Sequence, residues 1–178
     1  MVKKILTSKI LALSAFMVAF ILFCTVGCTT VPGGNVTAPQ TATTTTPAYQ
    51  DAEFKATVQD SLPLLTGLIG VVNADLAAHN LTSLGIDSVV LTGEAVRLDN
   101  KTAPMVVSPA MNKVKTDYQK ALGKIEDAGA SAERAVIEQG YSGAYGINAQ
   151  TATYLQQTSD YLSESRQLLE NIGSEIGK

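Results

Sequence analysis

The chain has 178 residues, with 13 Lys and Arg against 16 Asp and Glu, a single histidine and no tryptophan. A formal charge of −3 provides no basic stripe, which excludes a nucleic-acid-binding role. The two cysteines, Cys24 and Cys28, both lie near the N-terminus, so the rest of the chain has no disulfide, thiolate metal site or thiol nucleophile.

Lys3, Lys4 and Lys9 precede a run from Ile10 to Gly27 that is free of charge for 18 residues, the pattern of an export signal. Thr25-Val26-Gly27-Cys28 then puts small side chains before a thiol, as lipidation and cleavage require. Residues 1–27 are therefore expected to be a lipoprotein signal peptide and Cys28 the lipid-carrying first residue of the mature chain. Phe23 before Cys24 disqualifies the other cysteine. The same apolar run is also just long enough to be an uncleaved membrane span. In both cases the remainder faces away from the cytoplasm. A two-chain lipid is the kind of signal that stable anchoring needs. Beyond residue 27 the acids outnumber the bases by six, so anionic lipid exerts no polybasic attraction and the membrane partner is reached through the lipid on Cys28. The expected location is the cell membrane, extracytoplasmic face, or the outer membrane in a Gram-negative source.

Residues 28–50 read as a lipid-anchored stalk. After Cys28 they hold eight Thr, three Pro and two Gly and no charge, too little apolar surface to offset chain entropy, and are expected to be disordered or extended. Such a segment spans on the order of 25–70 Å. Its Thr/Pro run suits either O-glycosylation or a bare spacer.

Residues 51–178 are expected to form an all-α domain, an antiparallel up-down-up-down four-helix bundle. Phe54, Val58, Leu62, Leu65, Ile69, Val72 and Leu76 recur at three and four and predict a first helix ending at His79-Asn80. Pro63 predicts a kink, or a start near Asp60 after a frayed segment. A second helix is expected from Ser83 to Lys101, with Leu84, Val90 or Leu91, Val96 and Leu98 inward. Pro104 closes it and biases Ala103 away from helical backbone. Ser108-Pro109 reads as an N-cap with proline in the first helical position. It opens a third helix with Met111, Val114, Tyr118, Ala121, Ile125, Ala128, Ala132 and Ala135 inward. The stretch Gly140–Gly146 breaks it. A fourth is expected from Asn148 to Ile176, with Ala152, Leu155, Ser159, Leu162, Leu169, Ile172 and Ile176 inward. Lys113, Lys115, Lys120 and Lys124 in the first half of helix three oppose its dipole, a conflict eased if Glu164, Glu170 and Glu175 of helix four lie beside them.

Val107-Ser108-Pro109-Ala110-Met111, Tyr118-Gln119-Lys120-Ala121-Leu122 and the helix Thr151–Leu169 together resemble a group of small exported helical proteins and lipoproteins of methanogenic archaea. The likeness spans roughly residues 75–172. It implies the compartment and the helical fold, and assigns no site residues.

No catalytic, cofactor-binding or metal-ligating residue is expected, and the chain reads as not an enzyme. His79 has no second histidine for a metal pair, and no Glu-x-x-His or Cys-x-x-Cys-His occurs. Glu126 and Asp127 diverge by about 100° on a helix, which suits a solvated face. The glycine-rich segment near residue 143 lacks the lysine of a phosphate loop. Asn35, Asn80 and Asn100 each open an Asn-x-Thr sequon and are candidate N-glycosylation sites. Tyr118, Tyr141, Tyr145, Tyr154 and Tyr161 supply contact area, either to the bundle or to a partner. The expected function is a structural or protein-interaction role in the cell envelope, with envelope proteins or glycans as partners. The alternative is a small-ligand-binding or sensing module.

Overall fold

The computed structural model describes residues 48–142 and 146–177. The expected signal peptide, Cys28, Asn35, Tyr145 and most of the expected stalk lie outside the described residues. Four helices are present among the described residues: α1 (Asp51–Ala78), α2 (Leu81–Thr102), α3 (Asn112–Ser142) and α4 (Ala149–Ile176). No strand occurs among the described residues. Each helix packs on its neighbours in sequence, and α1 also packs on α4, so the four close around one core.

The core follows a seven-residue repeat, the signature of knobs-into-holes seams. In α2 the buried positions are Leu84, Ser88, Leu91, Ala95, Leu98 and Thr102, alternating four and three. In α4 they are Thr151, Leu155, Thr158, Leu162, Ser165, Leu169, Ile172 and Ile176, with the same alternation. Each of these helices thus carries a rail of leucines and a rail made mostly of small or hydroxyl residues. α3 buries the full expected stripe from Met111 to Ala135, with Leu122 beside it. Three of the buried hydroxyls are satisfied locally or across the seam: Thr102 donates to Leu98 O at 2.9 Å, Thr158 to Tyr154 O at 2.8 Å and Ser165 to Ala121 O at 3.0 Å, whereas Thr151 Oγ1 is buried without a partner.

Several expectations are corrected. α1 is helical from Asp51 and continues past the exposed Pro63, so it has no frayed segment before Asp60, because Phe54 and Val58 are fully buried and its first residue is pinned. Asp51 Oδ1 accepts the Ser108 amide at 2.8 Å, and the Ser108 hydroxyl bonds the same carboxylate, holding it below the usual range. That use of Ser108 removes it as an N-cap. Residues 109–111 form a turn closed by Met111 N to Ser108 O at 2.9 Å, and α3 starts at Asn112. Ala103 is helical despite preceding proline, its amide bonded to Asp99 O at 2.8 Å. Of Val90 and Leu91 it is Leu91 that turns inward, and Val96 faces solvent, one position off the seam. Ala152 and Ser159 are exposed and Thr151 and Thr158 take the inward positions. The register that would bury Ala152 and Ser159 continues to Arg166, which is exposed and paired with Glu170, whereas the observed register continues to Ser165. Gln50, at the end of the expected stalk, is already tied in: its amide donates to Val106 O at 2.8 Å and its Oε1 accepts Val106 N at 3.0 Å.

Tyr118 is the largest fully buried side chain. Its ring meets Phe54 edge-on, centroids 6.2 Å apart at 86°, and its hydroxyl shares a 2.7 Å hydrogen bond with Ser61 Oγ. Ser61 also bonds Val58 O at 2.8 Å. Burial is the main cause that pushes the Tyr118 phenol up to about 12.

Two outcomes follow from this core. Ile125→Ala should cost about 2–5 kcal/mol through lost transfer energy and a cavity, and the exposed Lys120→Ala under about 0.5, by denaturant melts. Because Tyr118 titrates higher folded than unfolded, its contribution is intact below pH 10 and is lost as pH rises towards 12. Melts at pH 9 and 11.5 should show a fall in stability that Tyr118→Phe reduces; an identical fall in the variant would refute the assignment.

Candidate functional site

The sites expected from sequence are dispersed. His79 is the C-cap of α1 in left-handed backbone, φ 51, and is the one non-glycine residue with positive φ among the described residues. A Schellman pair holds it: His79 N reaches Leu76 O at 3.2 Å and Asn80 N reaches Asp75 O at 3.0 Å. Asn80 caps α2, its Oδ1 accepting Ser83 N at 3.2 Å and its Nδ2 donating to Ser83 Oγ at 2.8 Å. The nitrogen that would carry a glycan is therefore engaged in the cap. Asn100 is exposed in the last turn of α2, but Thr102 of its sequon is fully buried. Tyr141 is exposed, whereas Tyr154 and Tyr161 pack partly on the core, and Lys124 sits 4.9 Å over the Tyr161 ring.

The two larger grooves among the described residues both collect polar groups. The first, about 380 Å³, lies between the end of α1 and the start of α4. Leu76, Leu155 and Ile147 give it an apolar wall and Asn73, His79, Gln156 and Ser159 its polar groups, with no charged side chain in the lining. The second, about 450 Å³, lies between α2 and α3, with Val89, Gly93, Gly129 and Ala130 beside Glu126 and Glu133. Glu126 is half-buried in this wall while Asp127 is exposed and outside it, so Glu126 departs from the solvated face expected of it. Burial first, then Asp99 and Asp127, raise the Glu126 carboxyl. Sequence reasoning missed this groove; its signal is a run of small residues, Gly93, Gly129 and Ala130, at positions flanking two seams.

The groove's depth depends on how closely α2 and α3 approach. A methyl group on Gly129 would overlap the Thr92 hydroxyl and sit 3.2 Å from Thr92 Cβ. Thr92 Oγ1 is itself buried without a hydrogen-bond partner. Thr151 Oγ1 is likewise buried without a partner, and so is Asp75 Oδ2, facing Asp87 across α1 and α2; desolvation, then the second carboxyl, raises the Asp75 pKa.

Gly129→Ala should destabilise by about 1 kcal/mol, overpacking outweighing the helix-propensity gain, and Thr92→Ala should rescue it. Gly123→Ala, with open space around the new methyl, should instead stabilise by about 0.5–1 kcal/mol. Thermal melts of the three variants decide; equal gains at both glycines would refute the close contact. Comparison with protein-family models, curated proteins and solved structures returns no match.

Proposed function

We propose that the chain is a lipid-anchored protein of the cell envelope whose helical domain serves a structural or protein-interaction role on the extracytoplasmic face. The observation that carries the anchor is Thr25-Val26-Gly27-Cys28 following a charge-free apolar run. The interaction role is supported by aliphatic side chains left uncovered on the helices: Ile86, Val89 and Val90 of α2 and Leu64 and Val71 of α1. α1 is also long and apolar enough to cross a membrane, with mean hydropathy 1.5 over its most apolar window, of which 22% is buried. Its inward stripe, Phe54 to Val72, belongs to the core, and we read it as a bundle helix.

We also infer that the helices run up-down-up-down. In support, Lys113 at the start of α3 pairs with Glu175 at the end of α4 at 2.8 Å, and Lys124 pairs with Glu164 at 2.8 Å. Val136, late in α3, lies 3.4 Å from a methyl built on Gly85, early in α2. These ion pairs ease the lysine side of the α3 dipole conflict at Lys113 and Lys124, each contributing under about 1 kcal/mol, while Glu170 pairs with Arg166 instead. A second reading, a small-ligand-binding module, is favoured by the uncharged groove beside His79, whose size falls within the range of ligand pockets.

The anchor is tested by intact mass and detergent partitioning of the protein made in an exporting host. Wild type should partition with detergent and carry a lipid mass on Cys28, and Cys28→Ser should remain an uncleaved precursor. An unmodified Cys28 in the wild type would overturn the lipoprotein reading. The same spectra report whether Asn35, Asn80 or Asn100 carries a glycan.

A further inference from the structure

We propose that the α2–α3 face is a docking surface for a basic amphipathic helix of a partner protein, an inference that rests on the interaction reading and names the partner's chemistry. α2 carries two apolar stripes. One, Leu84, Leu91 and Leu98, enters the core. The other, on the opposite side, comprises Ile86, Val89, Val90 and Gly93, and its three aliphatic residues are 63%, 68% and 51% exposed. A helix apolar on two faces buries both in its working state. Nothing lies within 4 Å of a methyl built on Gly93, so another backbone can approach closely there. Val89 and Gly93 continue into the groove whose far wall holds Glu126 and Glu133.

Charge selects the occupant. Glu126, Asp127, Glu133 and Glu138 lie in the second half of α3, where they oppose the helix dipole. None forms an ion pair among the described residues, although the first-half lysines Lys113 and Lys124 are both paired. α2 has no basic residue from Leu81 to Val96, and α4 has none from Ala149 to Ser165; Arg134 is the one base on α3 beyond Lys124. The acidic half of α3 thus forms no ion pair among the described residues and is short of nearby bases. An anionic lipid surface would be repelled. A helix with an apolar stripe would cover Ile86, Val89, Val90 and Gly93. Lys or Arg residues seven apart on it, about 10.5 Å, would match Glu126 and Glu133, themselves seven apart.

The test uses full-length protein in nanodiscs of zwitterionic lipid, with empty nanodiscs as background. The probe is a fluorescein-labelled 18-residue Leu/Lys peptide of helical amphipathic pattern, roughly five turns long. Its control is a peptide of the same composition scrambled to remove the pattern. The amphipathic peptide should bind saturably and weaken with salt, and the scrambled one should not. Glu126→Gln with Glu133→Gln should weaken binding roughly tenfold and Val89→Ser roughly fivefold. Asp60→Asn, outside this face, should leave binding unchanged, and melts of every variant confirm folding. Absent binding, equal binding of the scrambled peptide, or indifference to the α2–α3 variants would overturn the proposal. So would a wild-type dimer in sedimentation that Val89→Ser dissociates, which would place a second copy on this face. An unmodified Cys28 would refute the anchor alone, and lipidated protein that ignores the peptide would refute the docking surface alone.

Discussion

The contact on which the architecture depends is the close approach of α3 and α4, marked by the Ser165 hydroxyl reaching across to the Ala121 carbonyl at 3.0 Å. That distance requires small side chains where the two helices meet. α3 supplies Ala121, Ala128 and Ala135 seven apart, and α4 supplies Thr158 and Ser165 in the same rhythm. Larger residues at these positions would separate the helices and take the Ala121 carbonyl out of reach of the Ser165 hydroxyl, at the cost of that hydrogen bond. The leucine rail of α4, Leu155, Leu162 and Leu169, can then fill the centre.

With that pair set, the largest remaining volume is taken by Tyr118, and α1 is fitted to it. Phe54 meets the ring edge and Ser61 meets the hydroxyl, two contacts one heptad apart on α1. Such a pair makes the polar end of a buried aromatic a register mark, because a shifted α1 would offer its hydroxyl no partner. The start of α1 is fixed independently, through Gln50 and Asp51 gripping the segment after α2 at Val106 and Ser108. Lys115 adds to the same junction, its ammonium donating to the Ala103 and Met105 carbonyls at 2.8 and 2.6 Å. The long link between α2 and α3 is thereby held without a disulfide.

The surface is less balanced than the core. Basic residues early in α3 find carboxylates on α4, while Glu126 and Glu133, late in α3, border a stretch of α2 that has no bases. Gly129 under Thr92 draws α2 against this acidic half and shapes the groove that Glu126 and Glu133 border. Packing requirements and charge distribution are therefore coupled along α2 and α3, with the core side of α2 satisfied and its outer side uncovered.

The helical class and the number of helices were legible in the sequence because apolar spacing of three and four is a local property that each segment carries alone. The α3 stripe was legible residue by residue, since between Met111 and Ala135 one face holds no charge. Absence of thiol chemistry beyond Cys28 was likewise a matter of composition. Tertiary structure alone decided the choices that turn on small residues, which have little hydrophobic signal of their own. Thr151 rather than Ala152, and Thr158 rather than Ser159, enter the core because their register carries Leu155, Leu162 and Ser165 inward with them, and Arg166 in the rejected register was a clue. Ser108 forgoes capping because Asp51, distant in sequence, binds it. The α2–α3 groove and its unpaired carboxylates arise from which helix lies beside which, a property that no single segment contains.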